Sequence, residues 1–272
     1  MLKNQTPFQE AAPRRFPDRR ERENDFFGRV SRLIAGVDYR RADSQAQREA
    51  IRRLRDQAYR REVAISTDSA TTFIDPYDET DNAHIFGLYI GGELASSLRL
   101  HVGSKSQLTF PSLEVFPEYL RPELDAGKVF VDTTRFVADE RLSRCYRDLP
   151  YATLRLCMLA AEHFGADRLL IAVSPEHQTF YRQAFDCELA CGPRPYPQTP
   201  KPMSLMTLSF PGAADRLYRR HPFFHSSRSE RRKLFERRYL PMASGQAGLA
   251  EPEQEKCKVW APFLVSSLAG AR

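Results

Sequence analysis

The hydrophobic and polar positions of the chain follow two periods, which predict helices and strands around one core. Residues 45–64 repeat apolar side chains at helical spacing, with arginines on the opposite face and Ser44 as the N-cap. Residues 83–90 and 93–102 read as two strands on either side of Gly91-Gly92, a pair that is typical of a hairpin turn. The first half of the chain therefore predicts a helix followed by two antiparallel strands.

The second half alternates strands and helices after a long connection that contains several prolines. Pro150 and Gly165 bracket an amphipathic helix, because proline suits the first helical turn and glycine suits the residue beyond the last. The other predicted elements are strands at 129–137, 168–174, 187–191 and 204–210, and a helix from 175 to about 185. This order indicates an α/β (α+β) fold with one mixed sheet flanked by helices.

Composition divides the chain into four parts. We predict a disordered lead (1–26), a globular domain (27–212), a basic helical arm (213–240) and a C-terminal tail (241–272). Residues 1–61 hold 16 Lys/Arg against 9 Asp/Glu, whereas residues 62–212 hold 13 against 20. Basic ends on an acidic domain favour an acidic partner, with an ordinary solvated surface as the alternative.

Cysteine spacing and apolar runs narrow the class of protein. The five cysteines show no CxxC spacing and the six histidines show no ligand spacing, so no metal site is predicted. No apolar run approaches the roughly 20 residues that a membrane-spanning helix needs. No secretory signal is recognisable, and an odd number of cysteines is typical of reduced thiols. We therefore expect a cytoplasmic enzyme or binding protein.

The strand predicted at 129–137 carries an acid and a base three positions apart, Asp132 and Arg135. In a strand with strict alternation these two side chains point to opposite faces of the sheet. They can serve one site only if the strand is bulged, and bulges are common beside active sites. We therefore predict a bulged central strand at the centre of the functional site.

Four short motifs occur in order over residues 50–210. They are Arg55-x-x-x-Tyr59, Asp78-x-x-Asp81, Ser96-Ser97-Leu98-Arg99-Leu100 and Asp132-Thr133-Thr134-Arg135-Phe136. A fifth feature is Phe180-Tyr181 on the last predicted helix of the domain. In these features the chain resembles the N-acyl amino acid synthases of the GNAT acyltransferase superfamily, which are related to the acyl-homoserine lactone synthases.

The resemblance implies a GNAT-like, mostly antiparallel sheet with splayed central strands, and a set of site residues. The implied catalytic residues are Asp132, Arg135 and Arg99, and the implied substrate-binding residues are Arg55, Tyr59, Asp78, Asp81, Phe180 and Tyr181. Acyl transfer to an amine requires the amine to lose a proton, which a carboxylate can accept, while arginine can hold the carboxylate of an amino-acid acceptor. The same charged residues also suit buried salt bridges between loop and sheet, so a structural role stays open.

The donor side is predicted from the loop after the central strand. GNAT enzymes that use coenzyme A carry a glycine-rich loop there, whose N–H groups bind pyrophosphate. Residues 138–150 contain no glycine, which favours acyl-phosphopantetheine on acyl carrier protein as donor substrate, with no tightly bound cofactor. The arginines predicted to dock that carrier protein are Arg141, Arg144, Arg147 and Arg155. The residues predicted to flank an acyl tunnel are Leu154, Cys157, Met158, Ala161, Ile171, Val173, Phe180 and Phe185.

The sequence thus favours transfer of a fatty acyl group from acyl carrier protein to the amine of an amino acid or a similar small molecule. Acyl-homoserine lactone synthesis is the first alternative, although the single tryptophan, Trp260, lies far from the position where those relatives carry one. A non-catalytic GNAT-like module is the second, because Asp132 replaces the glutamate of the relatives. The arm at 213–240 suits peripheral membrane contact, and no zinc-finger or helix-turn-helix pattern supports nucleic-acid binding.

Overall fold

Seven strands form one sheet, and helices cover both of its faces. The computed structural model describes residues 19–63, 75–197, 199 and 201–236, with side chains for 25–61 and from 75 onward within these ranges. The strands are β1 (Val37–Arg41), β2 (Ala83–Ile90), β3 (Glu93–Gly103), β4 (Phe130–Ala138), β5 (Arg168–Val173), β6 (Glu188–Arg194) and β7 (Met203–Ser209). The α-helices are α1 (Arg19–Ala35), α2 (Gln45–Val63), α3 (Pro111–Val115), α4 (Pro117–Asp125), α5 (Glu140–Cys145), α6 (Leu149–Phe164), α7 (Gln178–Phe185), α8 (Phe210–Arg220) and α9 (Arg228–Phe235).

The sheet has the order β1-β2-β3-β4-β5-β7-β6, and its pairings are antiparallel except for that of β4 with β5. This arrangement confirms the predicted fold class. No helix in the described part of the chain combines the length and apolar character needed to cross a membrane.

The two central strands part after a short parallel ladder. β4 pairs with β5 only from Phe130 to Thr133, opposite Arg168 to Ile171, although β4 continues to Ala138. The β5-facing edge of residues 134–138 therefore has no strand partner on that side. This geometry confirms the predicted splay.

A bulge lies in the splayed part of β4. Ser97 of β3 is opposite Val137, but Arg99 is opposite Thr134, so one β3 residue faces two β4 residues, Arg135 and Phe136. Arg135 has φ = 56°, in the left-handed region that non-glycine residues rarely adopt. The predicted bulge is confirmed. It lies at Arg135, whose side chain it has to turn toward the face of Asp132.

Helix α6 provides the core on one face of the sheet. Leu156 and Leu159 of α6 are fully buried and belong to the same cluster as Val131 of β4 and Leu169 of β5. The helix contains Pro150 in its first turn and ends at Gly165, whose φ of 61° suits a residue without a Cβ atom. The sequence signals for this helix are confirmed to within two residues at its start.

Helices α3 and α4 cover the opposite face of the sheet. Leu113 and Leu120 pack there in a second cluster with Phe130 and Leu170. Because side chains alternate along a strand, Asp132 lies on this face with Phe130, whereas Val131 faces α6. Asp132 is thus placed under α3, in a layer from which water is excluded.

The predicted disordered lead is wrong for residues 19–26, because α1 begins at Arg19. Val30 of α1 is fully buried in the α6 cluster, and Phe26 packs edge-on against Tyr151 at a centroid distance of 5.0 Å. The burial of an aromatic face stabilises this helix despite its many charged residues. Residues 1–18 lie outside the described part of the chain.

The predicted boundary between the domain and a basic arm at 213 is also wrong. Helix α8 runs through this boundary, and Leu217, Phe224 and Phe235 are buried in the main core. Up to residue 236, the arginines and the lysine of this segment are exposed or half-buried on its outer face, as expected for an amphipathic surface helix. The predicted tail at 241–272 lies outside the described residues.

Arg155 of α6 fastens this C-terminal segment, and its predicted role in carrier docking is wrong. Its side chain is 5% exposed and pairs with Glu230 of α9 at 2.6 Å. Its Nε donates to the carbonyl oxygen of Phe223 at 2.8 Å and its Nη2 to that of His225 at 2.7 Å. All these donors are directed inward, so the guanidinium is not available to a partner.

Replacing Arg155 by methionine is expected to lower the free energy of unfolding by roughly 2–4 kcal/mol, because two carbonyl groups and Glu230 lose their partner. Urea denaturation measures this loss. Arg232→Met is the matched control, since Arg232 is 61% exposed in an i,i+4 pair with Glu236 and its loss is expected to cost under about 0.5 kcal/mol. Equal losses in the two variants would show that Arg155 does not hold the segment.

Candidate active site

Asp132 of β4 lies in a dry, hydrogen-bonded position at the centre of the sheet. It is fully buried, and both of its oxygens accept from Ser112 of α3. The Ser112 backbone N–H donates to Oδ2 at 3.1 Å, and the Ser112 hydroxyl donates to Oδ1 at 2.7 Å. Ser112 Oγ also lies 3.3 Å from the hydroxyl of Tyr196. The three side chains form one chain of hydrogen bonds.

Burial raises the pKa of Asp132 to about 6, while the two Ser112 hydrogen bonds and the charge of Arg99 act in the opposite direction. A carboxylate with this pKa is a stronger base than an exposed aspartate, and it is still ionised at neutral pH. Catalytic bases are tuned in this way by burial. Asp132 therefore has the protonation behaviour that proton abstraction requires.

Arg99 of β3 lies on the same face as Asp132, two pairs further along the ladder. It is fully buried, and its Nε donates to Thr134 Oγ1 at 3.1 Å. Its Nη1 pairs at 2.8 Å with both Asp75, the N-cap of the 3-10 turn Pro76–Glu79 before β2, and Asp78, which lies within that turn. The structure thus brings the β3 arginine motif and the acidic loop motif together.

Arg135 joins the same network because of the bulge. Its Nε donates to Asp75 Oδ2 at 2.7 Å, and its Nη2 donates to the carbonyl oxygen of Pro197 at 3.2 Å. Its Nη1 lies 3.4 Å from the hydroxyl of Tyr59 on α2. One oxygen of Asp75 therefore pairs with both Arg99 and Arg135. The bulge brings Arg135 to the same side of the sheet as Asp132, although strict alternation would have placed it on the opposite face.

Arg55 of α2 completes the cluster and leaves donors to spare. Its Nη1 pairs with Asp78 at 2.6 Å, and its side chain has no exposed surface. Arg55 Nε and Nη2 and Arg99 Nη2 are buried and have no hydrogen-bond partner among the described residues. The guanidinium groups of Arg55, Arg99 and Arg135 thus crowd around the two carboxylates of Asp75 and Asp78. The N–H groups left over favour an additional acceptor, such as a carboxylate, beside this network.

His101 is a further buried residue beside Asp132, its partner across the β3–β4 ladder. Its Nε2 lies 3.0 Å from the carbonyl oxygen of Tyr77 and 3.1 Å from Thr80 Oγ1. Burial, reinforced by the charge of Arg99, lowers the pKa of His101 to about 3. The imidazole is therefore neutral at physiological pH, and its low pKa makes it a weaker base than Asp132.

Three of the predicted substrate-binding residues lie apart from this cluster. Asp81 is exposed in the turn before β2, and Phe180 and Tyr181 of α7 belong to the α6 side of the sheet. An acyl chain on that side would meet the α7 residues, but an acceptor bound at Arg99 would not. The structure thus brings together Arg55, Tyr59, Asp78, Arg99, Asp132 and Arg135.

A narrow apolar cavity of about 10 Å³ lies on the α6 side. It is lined by Leu154, Cys157, Met158, Leu169, Ile171, Tyr181, Phe185, Cys187 and Leu208. Five of the eight residues predicted to flank an acyl tunnel are among them. Cys157 accepts a hydrogen bond from Thr133 Oγ1 at 3.3 Å, and Thr133 is the last β4 residue paired with β5. The cavity thus begins where the central strands part.

The start of α6 does not form a phosphate cradle. Pro150 contributes no N–H group to the first turn. The backbone N–H groups that donate to carbonyls just before the helix are those of Leu149, Tyr151 and Ala152. The Asp148 carboxylate lies at this end, paired with Arg29 at 2.9 Å. Used donors and a negative charge both disfavour a pyrophosphate here.

The three remaining docking candidates lie near this end of the molecule, on and just after α5. Arg141, Arg144 and Arg147 are exposed. Arg141 pairs with Glu93 and Arg144 pairs with Glu140, and exposed ion pairs of this kind exchange partners at little cost. Within the described residues, no group of three or more His, Cys, Asp and Glu side chains is placed to hold a metal ion.

Comparison with known proteins agrees with the geometry. The family model described as "N-acyl amino acid synthase FeeM" matches residues 50–209, which is more than half of the chain. The chain belongs to this family. The match starts within α2 and ends at the last residue of β7, so it contains every clustered site residue named above.

The chain is similar to several solved structures, and that of FeeM supports the fold. FeeM, an N-acyl amino acid synthase from uncultured soil microbes, is 20% identical with a TM-score of 0.54, over 64% of this chain and 91% of that one. An acyl-CoA N-acyltransferase from Pseudomonas aeruginosa is 17% identical over 63% and 98% of the chains, with a TM-score of 0.43. The CoA-dependent acyl-homoserine lactone synthase BjaI is 13% identical over 68% and 89%, with a TM-score of 0.47. No curated protein matches the chain.

Membership of the family makes the protein an N-acyltransferase, which transfers an acyl group to an amine. It decides against the non-catalytic module considered from the sequence. The residues of the site that the sequence did not indicate are Asp75, Ser112, His101 and Tyr196. Asp75 lies three residues before the Asp78-x-x-Asp81 motif. Ser112 and Tyr196 lie 20 and 64 positions from Asp132, and no motif connects them to it.

Proposed function

We propose that the protein moves a fatty acyl group from acyl carrier protein to the amino group of an amino acid, with Asp132 as general base. The observation that carries the proposal is the buried carboxylate of Asp132 on a splayed strand, with a pKa near 6. An ammonium group has no lone pair, so it must lose a proton before it attacks a thioester. Asp132 accepts this proton at neutral pH.

The splay supplies the place for the thioester. Residues 134–138 of β4 are free of β5, so the reacting carbonyl group can lie between the strands, where backbone N–H groups stabilise the developing oxyanion. The acyl chain extends into the apolar cavity that begins at Thr133 and Cys157. The cavity is narrow, so a long chain enters by displacing flexible side chains such as Met158.

The arginine cluster supports an acceptor that carries a carboxylate. The unpartnered N–H groups of Arg55 and Arg99 are buried, and a buried guanidinium without partners is costly. A bound carboxylate accepts hydrogen bonds from these groups. The α-amino group of an amino acid held in this way lies within reach of the Asp132 side of β4, because Arg99 and Asp132 share one face.

The start of α6 supports a protein-bound donor. A pantetheine arm needs no phosphate cradle when its phosphate is attached to a carrier protein, and the α6 terminus provides none. Carrier proteins present an acidic helix, and Arg141, Arg144 and Arg147 expose cations beside the splay. Arg155 is not part of this surface. We expect acyl carrier protein to dock here.

The test is expression of the chain in a bacterial host, followed by mass spectrometry of lipid extracts. The expected result is the appearance of N-acyl amino acids that are absent from cells with an empty vector and from cells with Asp132→Asn. Asp139→Asn is the control, because Asp139 lies just beyond β4 and only caps α5. A lipid profile unchanged by the wild-type chain, or unchanged by Asp132→Asn, would contradict the proposal.

The donor is tested with the purified chain and the amino acid found in those extracts. Hexadecanoyl carrier protein and hexadecanoyl coenzyme A are supplied at equal concentrations. The carrier protein is expected to give at least a tenfold higher kcat/KM, which falls when Arg147 is replaced by glutamate and when salt is raised. A preference for coenzyme A would overturn the carrier assignment and leave the acyl-transfer assignment intact.

A further inference from the structure

A second question is how a proton reaches Asp132, because its carboxylate has no exposed surface. Both oxygens accept hydrogen bonds from Ser112, and no water-accessible face remains for an amine. Direct contact between the acceptor amine and the carboxylate would require α3 to move. The hydrogen bonds that join Tyr196, Ser112 and Asp132 provide another route.

We propose that Tyr196 is the catalytic group that receives the proton of the acceptor amine, and that Ser112 relays it to Asp132. The proposal rests on the proposed function, because it takes Asp132 as the base. The Ser112 hydroxyl donates to Asp132 Oδ1 at 2.7 Å, so its single proton is used. At the 3.3 Å contact with Ser112 Oγ, Tyr196 is therefore the donor. The chain of donors runs in one direction, from Tyr196 to Asp132.

Tyr196 lies on the loop that bridges the splay. The loop leaves β6 at Arg194 and enters β7 at Met203, next to the end of β5. Arg135, in the bulged part of β4, donates to the carbonyl oxygen of Pro197 at 3.2 Å. This contact joins the loop to β4 across the gap between the central strands. Tyr196, the neighbour of Pro197, keeps 8% of its surface exposed, whereas Asp132 keeps none, so Tyr196 is the member of the hydrogen-bond chain that an amine can approach.

The groups that face Asp132 and Tyr196 suit this transfer. Burial raises the pKa of Tyr196 well above its usual value, and the charge of Asp132 adds to that effect, so the phenol keeps its proton between turnovers. The facing cations are Arg99 on β3 and Arg135 on β4, and His101 is neutral. The only carboxylate in direct hydrogen-bond contact with Ser112, within the described residues, is that of Asp132.

The step balances without any other reactant. One ammonium proton passes to Tyr196 while the Tyr196 proton passes to Ser112 and the Ser112 proton to Asp132, which becomes a carboxylic acid. The freed electron pair on nitrogen forms the C–N bond with the thioester carbon. As the C–S bond breaks, the leaving thiolate takes a second proton from the same nitrogen. Asp132 then returns its proton along the same path to solvent.

The test is a double-mutant cycle in single-turnover kinetics, with hexadecanoyl carrier protein and the amino acid identified in the lipid extracts. Tyr196→Phe is expected to slow the reaction by at least about 10²-fold, and adding it to Asp132→Asn is expected to slow that variant by no more than about threefold. A relay predicts this non-additivity, because loss of either Tyr196 or Asp132 already stops proton transfer along the chain, and loss of the second group then has little further effect. Tyr196→Phe is also expected to lose the decrease in rate through pH 6 that titration of Asp132 causes.

Tyr39→Phe is the control, since its hydroxyl donates to the Ala152 carbonyl at 2.8 Å, away from Asp132. Ser112→Ala is the second relay variant, and it keeps the backbone N–H bond to Asp132. It is expected to reproduce the loss and the non-additivity if Tyr196→Phe fails to fold. Near wild-type rates in Tyr196→Phe or Ser112→Ala, with Asp132→Asn inactive, would overturn the relay and leave the proposed function standing. An inactive wild-type chain would instead contradict the proposed function.

Discussion

Asp132→Asn is expected to lower the rate of N-acyl transfer by about 10²–10⁴-fold, because asparagine cannot accept the proton of the acceptor amine. The substitution keeps the size of the side chain and can still hydrogen-bond to Ser112. Stopped-time assays of product by mass spectrometry measure the loss. Asp139→Asn, at the other end of the strand, is expected to stay within about twofold of wild type.

The loss of activity should not come from unfolding. The pKa of Asp132 is raised in the folded chain, so the stability that the group contributes is fully present at low pH and is lost as pH rises through about 6. At neutral pH the ionised carboxylate is the less stable form in this position. A neutral asparagine is therefore expected to leave the free energy of unfolding within about 1 kcal/mol of wild type. A large drop in stability, with activity lost in proportion, would show that Asp132 is structural.

Asp75→Asn is expected to lower the free energy of unfolding by about 3–5 kcal/mol, because it breaks a buried ion-pair network and leaves two cations without their shared carboxylate. One oxygen of Asp75 pairs with Arg99 at 2.8 Å and with Arg135 at 2.7 Å. Urea denaturation at pH 7 measures the change. The matched control is Asp125→Asn, whose partner Arg121 and own side chain are both more than half exposed, with an expected change below about 0.5 kcal/mol.

The same network predicts a dependence of stability on pH. Burial acts to raise the pKa of Asp75, but the charges of Arg99 and Arg135 outweigh it, and the pKa is lowered below its usual value. A group with a lowered folded-state pKa contributes stability above its unfolded pKa and loses it as pH falls through the folded value. Wild-type stability should therefore fall below about pH 4, and this fall should be smaller in Asp75→Asn. An identical acid profile in both proteins would contradict the assigned role of Asp75.

Local patterns in the sequence were sufficient for most of the fold. Periodicity and residues with restricted backbone preferences predict three elements correctly. They are the hairpin around Gly91-Gly92, the helix between Pro150 and Gly165, and the buried strand that begins at Arg168. The bulge at Arg135 could be predicted only on the assumption that Asp132 and Arg135 serve one site. Its structural cause is the register shift between β3 and β4, which the sequence does not show. Helix α1 was missed, and the helical segment after residue 213 was placed outside the domain, because their many charges conceal narrow apolar faces. Phe26 and Phe224 lie on these faces and pack in the core.

The site was only partly visible for a different reason. Motif order indicated Arg99, Asp132 and Arg135, but hydrogen-bond partners depend on tertiary contacts that no local pattern encodes. Ser112 and Tyr196 come from α3 and from the loop after β6, and they meet Asp132 only when both pack against one face of the sheet. Arg155 was assigned to the surface because it follows Arg141, Arg144 and Arg147 closely in the sequence. In the structure it lies on the face of α6 that α9 covers, where it pairs with Glu230.

The central claim is that the buried carboxylate of Asp132 is the base in N-acyl transfer. The most direct test is the pH dependence of the single-turnover rate of the wild-type chain, with hexadecanoyl carrier protein and a saturating amino acid. The rate is expected to fall to half near the Asp132 pKa of about 6 and to continue falling in more acidic buffer while the fold stays intact. A rate that passes unchanged through pH 6, or the same profile in Asp132→Asn, would contradict the account.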